Sequence, residues 1–161
     1  MSAGNGDRRR RLAMVASKGT LDNAYPPLIL AATAVSLGWE VGIFFTFYGL
    51  DIIHKRKHKK LKVAPLANPA MPVAIPNLIG ALPGMTAAAT IMMKGWMKKA
   101  NLPTVPQFLD MARDSGVRLF ACSTTMGVMG VREADLIPGA DIAGAAAFLD
   151  FAADANVSLF I

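Results

Sequence analysis

The run Arg11-Leu12-Ala13-Met14-Val15-Ala16 sets the tightest limit on what this chain can fold into. After the arginine it is apolar without alternation, which is how a strand covered on both faces of a parallel sheet reads. It stops at a small, polar segment from Ser17 to Asp22. Residues 23–37 then read as a helix, with Asp22 or Asn23 as N-cap, Pro26 and Pro27 near the first turn, and Gly38 as the stop. Trp39 to Phe45 is a second strand ending in Thr46-Phe47-Tyr48-Gly49, and a short helix from Leu50 to about Lys55 follows.

The middle of the chain departs from this alternation. A basic, Pro/Met-rich insert occupies about 55–100, and within it Pro65, Pro69, Pro72, Pro76 and Pro83 punctuate an irregular apolar excursion. Met85 to Lys99 is helical, with Met92, Met93, Trp96 and Met97 on one sticky face beside Lys94, Lys98 and Lys99. Thr104 to Ser115 is another helix, capped by Thr104, with Pro106 in its first turn, Gln107 at the capping-box position and Gly116 as its end. Val117 to Ala121 is a third strand. Ala140 or Asp141 opens a last helix to about Ala155, and Val157 to Ile161 is a terminal strand. This α/β order predicts a mainly parallel sheet of four or five strands with helices on both faces. One domain, 11–161, follows a flexible basic tail, 1–10.

Composition narrows the class. Apolar residues make up 53% of the 161, so a membrane span has to be considered. The longest stretch without charge, 63–93, is too rich in proline for a spanning helix, and 23–39 is too short. The arginines at 8–11 before a short apolar run only faintly mimic a secretory signal. A cytoplasmic location is the simpler expectation for a chain with one thiol. The net charge of +6 is local: four arginines at 8–11 and six cations from Lys55 to Lys62 leave seven other Lys and Arg against 11 acids. That distribution argues against a nucleic-acid surface. It leaves the basic run as a solvated loop, an acidic or anionic partner's site, or a peripheral membrane contact through Lys55 to Lys60.

In open α/β sheets, ligands bind beyond the carboxyl ends of the strands. Three segments fall on that rim: Ser17 to Asp22, Thr46 to Gly49 and Cys122 to Gly127. Each carries a glycine that would let backbone approach a ligand. The rim therefore brings Cys122, the sole cysteine, together with Lys18, Thr20, Thr46 and Tyr48. A thiol entering a helix also feels unpaired N–H groups that favour the thiolate. Most free cysteines are small core hydrophobes, and position alone raises this one above that.

Other chemistries fail on inventory. One cysteine allows neither a zinc knuckle nor a dithiol redox pair. His54 and His58 could share a helix face, but cations surround them without a carboxylate between, which suits a solvated basic face better than a metal. The sequence holds no G-x-G-x-x-G, P-loop or G-x-S-x-G. No cofactor or metal is expected.

The segments Val15 to Pro26, Phe44 to Leu50, Pro83 to Ala87, Ala121 to Gly130, Ile142 to Ala146 and Val157 to Ile161 resemble the DsrE/DsrF-like sulfurtransferase family, in its longer branch often labelled peroxiredoxin-like. The resemblance covers nearly the whole chain after residue 10. It implies a flavodoxin-like, DsrE-like fold, a homo-oligomer, and a cysteine, here Cys122, that holds sulfane sulfur as a persulfide or thiosulfonate. It also implies exchange with small sulfur-carrier proteins and low-molecular-weight sulfane sulfur compounds in a cytoplasmic relay. Ser17, Lys18, Gly19, Thr20, Thr46, Tyr48, Ser123, Thr124 and Met126 would then shape the substrate mouth, as the rim segments suggest. Peroxide reduction is the weaker reading, because Leu119 stands where a peroxidatic cysteine keeps a threonine and no resolving thiol exists. A non-enzymatic assembly protein, with Cys122 as inert core, is the other alternative.

Overall fold

A computed structural model describes residues 9–64 and 84–161 of the chain. The tail to residue 8 and the proline-rich excursion at 65–83 lie outside the described residues. Five strands form one parallel sheet: β1 (Arg11–Ala16), β2 (Glu40–Phe45), β3 (Arg118–Cys122), β4 (Ala140–Ala143) and β5 (Val157–Phe160), in the order β4-β3-β2-β1-β5. The helices are α1 (Leu21–Ser36), α2 (Met85–Lys99), α3 (Val105–Asp114), α4 (Ser123–Met129) and α5 (Ala145–Ala153), with short 3-10 turns at Phe47–Ile52 and Glu133–Asp135.

Alternation along the strands divides the interior into two cores. Leu12 and Met14, Val41, Ile43 and Phe45, and Leu119 and Ala121 point to a larger core. That core is closed by Tyr25 and Leu28 of α1 and by Phe108 and Leu109 of α3. Ala13, Phe44, Phe120, Cys122 and Ala143 point the other way, into a smaller core closed by Phe148 and Phe151 of α5. Phe148 stacks on Phe44 with ring centroids 4.8 Å apart and meets Phe120 edge-on at 5.9 Å. Arg11 fixes this helix from below. Its guanidinium donates to the Phe151 carbonyl at 2.8 Å and pairs with Glu40 at 2.8 Å, while lying over the Phe151 ring.

Four local expectations change. The predicted final helix begins too early, because 140–143 is strand β4: Leu119, Phe120, Ala121 and Cys122 pair with Ala140, Asp141, Ile142 and Ala143. Asp141 and Ile142 stay exposed on this edge strand, so the segment carries no buried apolar run. Helix α1 starts at Leu21, whose N–H donates to the Lys62 carbonyl, so Thr20 is its N-cap and the prolines lie in the second turn. A 3-10 turn at Phe47–Ile52 replaces the short helix predicted from Leu50. Cys122 is itself the last residue of β3, and Ser123 already belongs to α4, so helix replaces the predicted rim loop.

Met85–Lys99 forms the predicted helix, and α3 carries the predicted capping box between Thr104 and Gln107. No helix among the described residues is long and apolar enough to cross a membrane.

Candidate functional site

Connectivity singles out one place on the sheet. β3 hands the chain to α4, whose Met126 packs into the larger core, whereas β4 hands it to α5 on the opposite face. The chain thus leaves these two neighbouring strands toward opposite faces of the sheet. The register partners that end these strands are Cys122 and Ala143. Phe45 pairs with Ala121, so Thr46, the residue just after β2, comes alongside Cys122 from the other side.

The thiol is only 6% exposed, in the smaller core. Burial pushes its pKa up. The hydroxyl of Thr125, the Thr125 N–H, the hydroxyl of Thr46 and the Thr124 N–H oppose that and outweigh it, so the pKa lies below the ordinary thiol value. The thiol closes no cap bond of good geometry onto α4. The donors stand ready for the thiolate, which attracts them more strongly than the neutral thiol does.

Thr125 organises these donors. It is 3% exposed, its hydroxyl lies 2.9 Å from that of Thr46, and it accepts the Phe47 N–H at 3.3 Å. Since the Phe47 amide can only donate, it fills an acceptor position on Thr125 and leaves the hydroxyl proton for Thr46 or for sulfur. Phe47 reaches this arrangement with φ at 47°, left-handed backbone that a bulky residue rarely adopts. Strain of this kind, about 1 kcal/mol, gathers at functional sites.

The residues expected on the rim separate. Thr46 touches the thiol's surroundings directly, and Thr124 does so through its backbone. Ser123, Lys18 and Tyr48 are exposed at the same edge. Ser17 donates its hydroxyl to the Ile161 carbonyl at 3.1 Å, tying β1 to the chain's last residue. Gly19 and Thr20 line a separate cationic groove with Arg56, Lys57, Lys60 and Lys62. Met126 is core packing.

The glycines serve packing as well. A Cβ on Gly19 would overlap the Tyr48 carbonyl oxygen, and one on Gly49 would overlap that of Ala16. They let the two rim segments interlock with each other.

Thr125 and Phe47 were not expected as site residues. Thr125 had a signal: with Cys122 as N-cap, the third helical residue is the one whose side chain returns to the cap. Phe47 had none, since nothing about phenylalanine announces a left-handed backbone. Neither histidine approaches the thiol: His54 packs against the turn at Asp135 to Leu136, and His58 is anchored to the His54 carbonyl. No group of His, Cys, Asp or Glu among the described residues is arranged to hold a metal.

A buried thiol whose pKa is lowered by hydroxyls and amides, at the carboxyl end of a parallel strand, suits nucleophilic exchange at sulfur. The family model for the DsrE/DsrF/DrsH-like family matches residues 8–160. The sulfur carrier protein DsrE2 of Allochromatium vinosum is 42% identical over 159 residues, covering 95% of this chain and 99% of its own length. The uncharacterised protein YrkE of Bacillus subtilis is 33% identical over 158 residues, covering 96% and 99%. Among solved structures, YchN of E. coli superposes with a TM-score of 0.58 at 12% identity, covering 94% of this chain and 99% of that one, a likeness of fold.

Proposed function

Because this chain belongs to the DsrE/DsrF/DrsH-like family, we propose that it is a sulfur carrier whose Cys122 holds sulfane sulfur and passes it on. The observation that carries this reading is the setting of its sole thiol: at the carboxyl end of β3 where α4 begins, with Thr46, Thr124 and Thr125 around the sulfur.

In loading, the Cys122 thiolate attacks the sulfane sulfur of the donor. Thiosulfate then leaves a persulfide on Cys122 and expels sulfite, and tetrathionate leaves a thiosulfonate and expels thiosulfate. The two threonine hydroxyls and the amides of α4 hold the negative charge on the attacking sulfur, and later on the persulfide's outer sulfur. In unloading, an acceptor thiolate attacks that outer sulfur and Cys122 departs as thiolate. A low thiol pKa favours this departure. With no second cysteine in the chain, the acceptor is another molecule.

Small carrier proteins and low-molecular-weight sulfane sulfur compounds fit as donors and acceptors in a cytoplasmic relay. Charge supports the protein partner: among the described residues, Arg56, Lys60 and Lys62 of the cationic groove pair with no acid. Self-association is supported by exposed apolar side chains: Leu149 on α5 and Phe160 on edge strand β5 beside the smaller core, and Ile142 on edge strand β4, whose register partner Ala121 faces the larger core.

Transfer is the test. Protein loaded with polysulfide and desalted should deliver its sulfur to an added thiol acceptor, and the Cys122→Ser variant should deliver none. Equal delivery by that variant overturns the proposal.

A further inference from the structure

A second cavity, of about 600 Å³, lies on the larger-core face, away from Cys122. It sits where the first turns of α1 and α3 meet the carboxyl-terminal half of α2 and the turn around His58. Its walls are apolar, supplied by Leu21, Leu61, Met97, Leu102 and Val105.

Two of its polar lining side chains are buried. His58 is 8% exposed, and its Nδ1 lies 2.8 Å from the His54 carbonyl. A carbonyl only accepts, so Nδ1 carries the hydrogen and Nε2 is the ring position left over. Tyr25 is 7% exposed and packs edge-on against Phe108, and burial raises its pKa, which keeps its hydroxyl a donor. Neither Nε2 nor the Tyr25 hydroxyl has a hydrogen-bond partner among the described residues. Yet no side-chain nitrogen or oxygen there is both fully buried and unsatisfied. The cavity is where these two atoms reach solvent, and so where a ligand would meet them.

The charge at the rim has one sign. Lys59, Lys94 and Lys98 line the cavity, and no Asp or Glu does. The amino-terminal turns of α1 and α3 add the positive ends of two helix dipoles. An apolar chamber of this size with a few convergent polar groups is the usual form of a small-molecule site.

We infer that this cavity binds an amphiphilic monoanion, a carboxylate on an apolar body. The body fills the space between Leu61, Met97 and Leu102, and the Tyr25 hydroxyl and the rim lysines hold the carboxylate. His58 Nε2 adds a polar contact on the wall beside Asn101, Thr104 and Gln107, suited to a polar group on the ligand. The site shares no residue with the thiol's surroundings, so it stands or falls apart from sulfur transfer.

Titration of the full chain with octanoate, followed by calorimetry and by methyl resonances of Met97, tests it. Octanoate should bind saturably and shift Met97, while octanol should bind about tenfold more weakly or not at all. Tyr25→Phe, which keeps the contact with Phe108, should weaken octanoate about tenfold, as should Lys94→Ala combined with Lys98→Ala. Cys122→Ser should bind octanoate as wild type does. No saturable binding, equal binding of octanol, or affinity unchanged in both the tyrosine and the double lysine variants overturns the assignment. Circular dichroism confirms that each variant is folded before it is scored.

Discussion

The two faces of the sheet are built to different depths. One is closed by α1 and α3 over a core whose buried residues run from Leu12 to Leu136, whereas the face that holds Cys122 is covered, among the described helices, by the nine residues of α5. Both faces are apolar, so composition does not separate them. What separates them is what stands at the carboxyl edge. On the larger-core face the strands end under helices that continue the packing. On the smaller, β3 ends at a thiol beside a divergence of the chain, with hydroxyls and amides in place of further hydrocarbon. The deep face supplies stability and the shallow one chemistry, and substitutions on the two should fail in different ways.

The largest effect expected is Cys122→Ser, which should abolish sulfur loading while changing the free energy of unfolding by no more than about 1 kcal/mol, because the serine hydroxyl finds the same threonine partners. A large loss of stability would return Cys122 to the role of a core residue. Leu119→Ala, one position from Phe120 but on the deep face and fully buried, should cost about 2–5 kcal/mol in denaturant unfolding. It should leave the alkylation profile of the folded protein unchanged. Phe148→Ala should also destabilise, by about 3–5 kcal/mol, and in addition speed alkylation of Cys122, since its ring lies in the same small core as the thiol. If Leu119→Ala changes thiol reactivity as much as Phe148→Ala, the two faces are not independent.

The pH dependence sharpens the contrast. The folded pKa of Cys122 is depressed, so iodoacetamide alkylation should reach its plateau at lower pH than for an ordinary thiol. The thiol's stabilising contribution is present in full above the unfolded pKa, and it is lost as pH falls through the folded value. Thr125→Val, which removes the first of the donors, should move the alkylation midpoint upward, each unit meaning about tenfold less thiolate at neutral pH. An unmoved midpoint would leave Thr125 a packing residue.

The smallest effect expected is at Phe47. Its side chain is 59% exposed, and its backbone is left-handed. Phe47→Gly should stabilise the protein by about 1 kcal/mol and leave the midpoint where it is, provided the amide still reaches Thr125. Destabilisation would mean that the exposed ring is held by contacts of its own.

The strands β1, β2 and β3 were legible because burial on both faces demands an unbroken apolar run, and helix α3 because its cap is written in Thr104, Pro106 and Gln107. Strand β4 was not, since an edge strand with Asp141 and Ile142 exposed needs no such run, and Ala-rich sequence favours helix. With β4 hidden, the divergence between β3 and β4 was hidden too, and Cys122 could be placed on the rim without the strand that pairs with it. Of the three rim glycines, Gly19 and Gly49 are close approaches, but to a neighbouring backbone, and Gly127 faces open space. The site's inner polar residues follow the same division: Thr46 is read from strand register, while Thr125 needs the knowledge that Cys122 caps a helix.

Mass spectrometry of the intact protein and of its Cys122 peptide, after incubation with polysulfide, thiosulfate or tetrathionate, bears most directly on the central claim. Wild type should gain persulfide sulfur or a thiosulfonate on Cys122 alone, removed by added thiol, and Cys122→Ser should gain nothing. An unmodified Cys122 under all three donors would contradict the account.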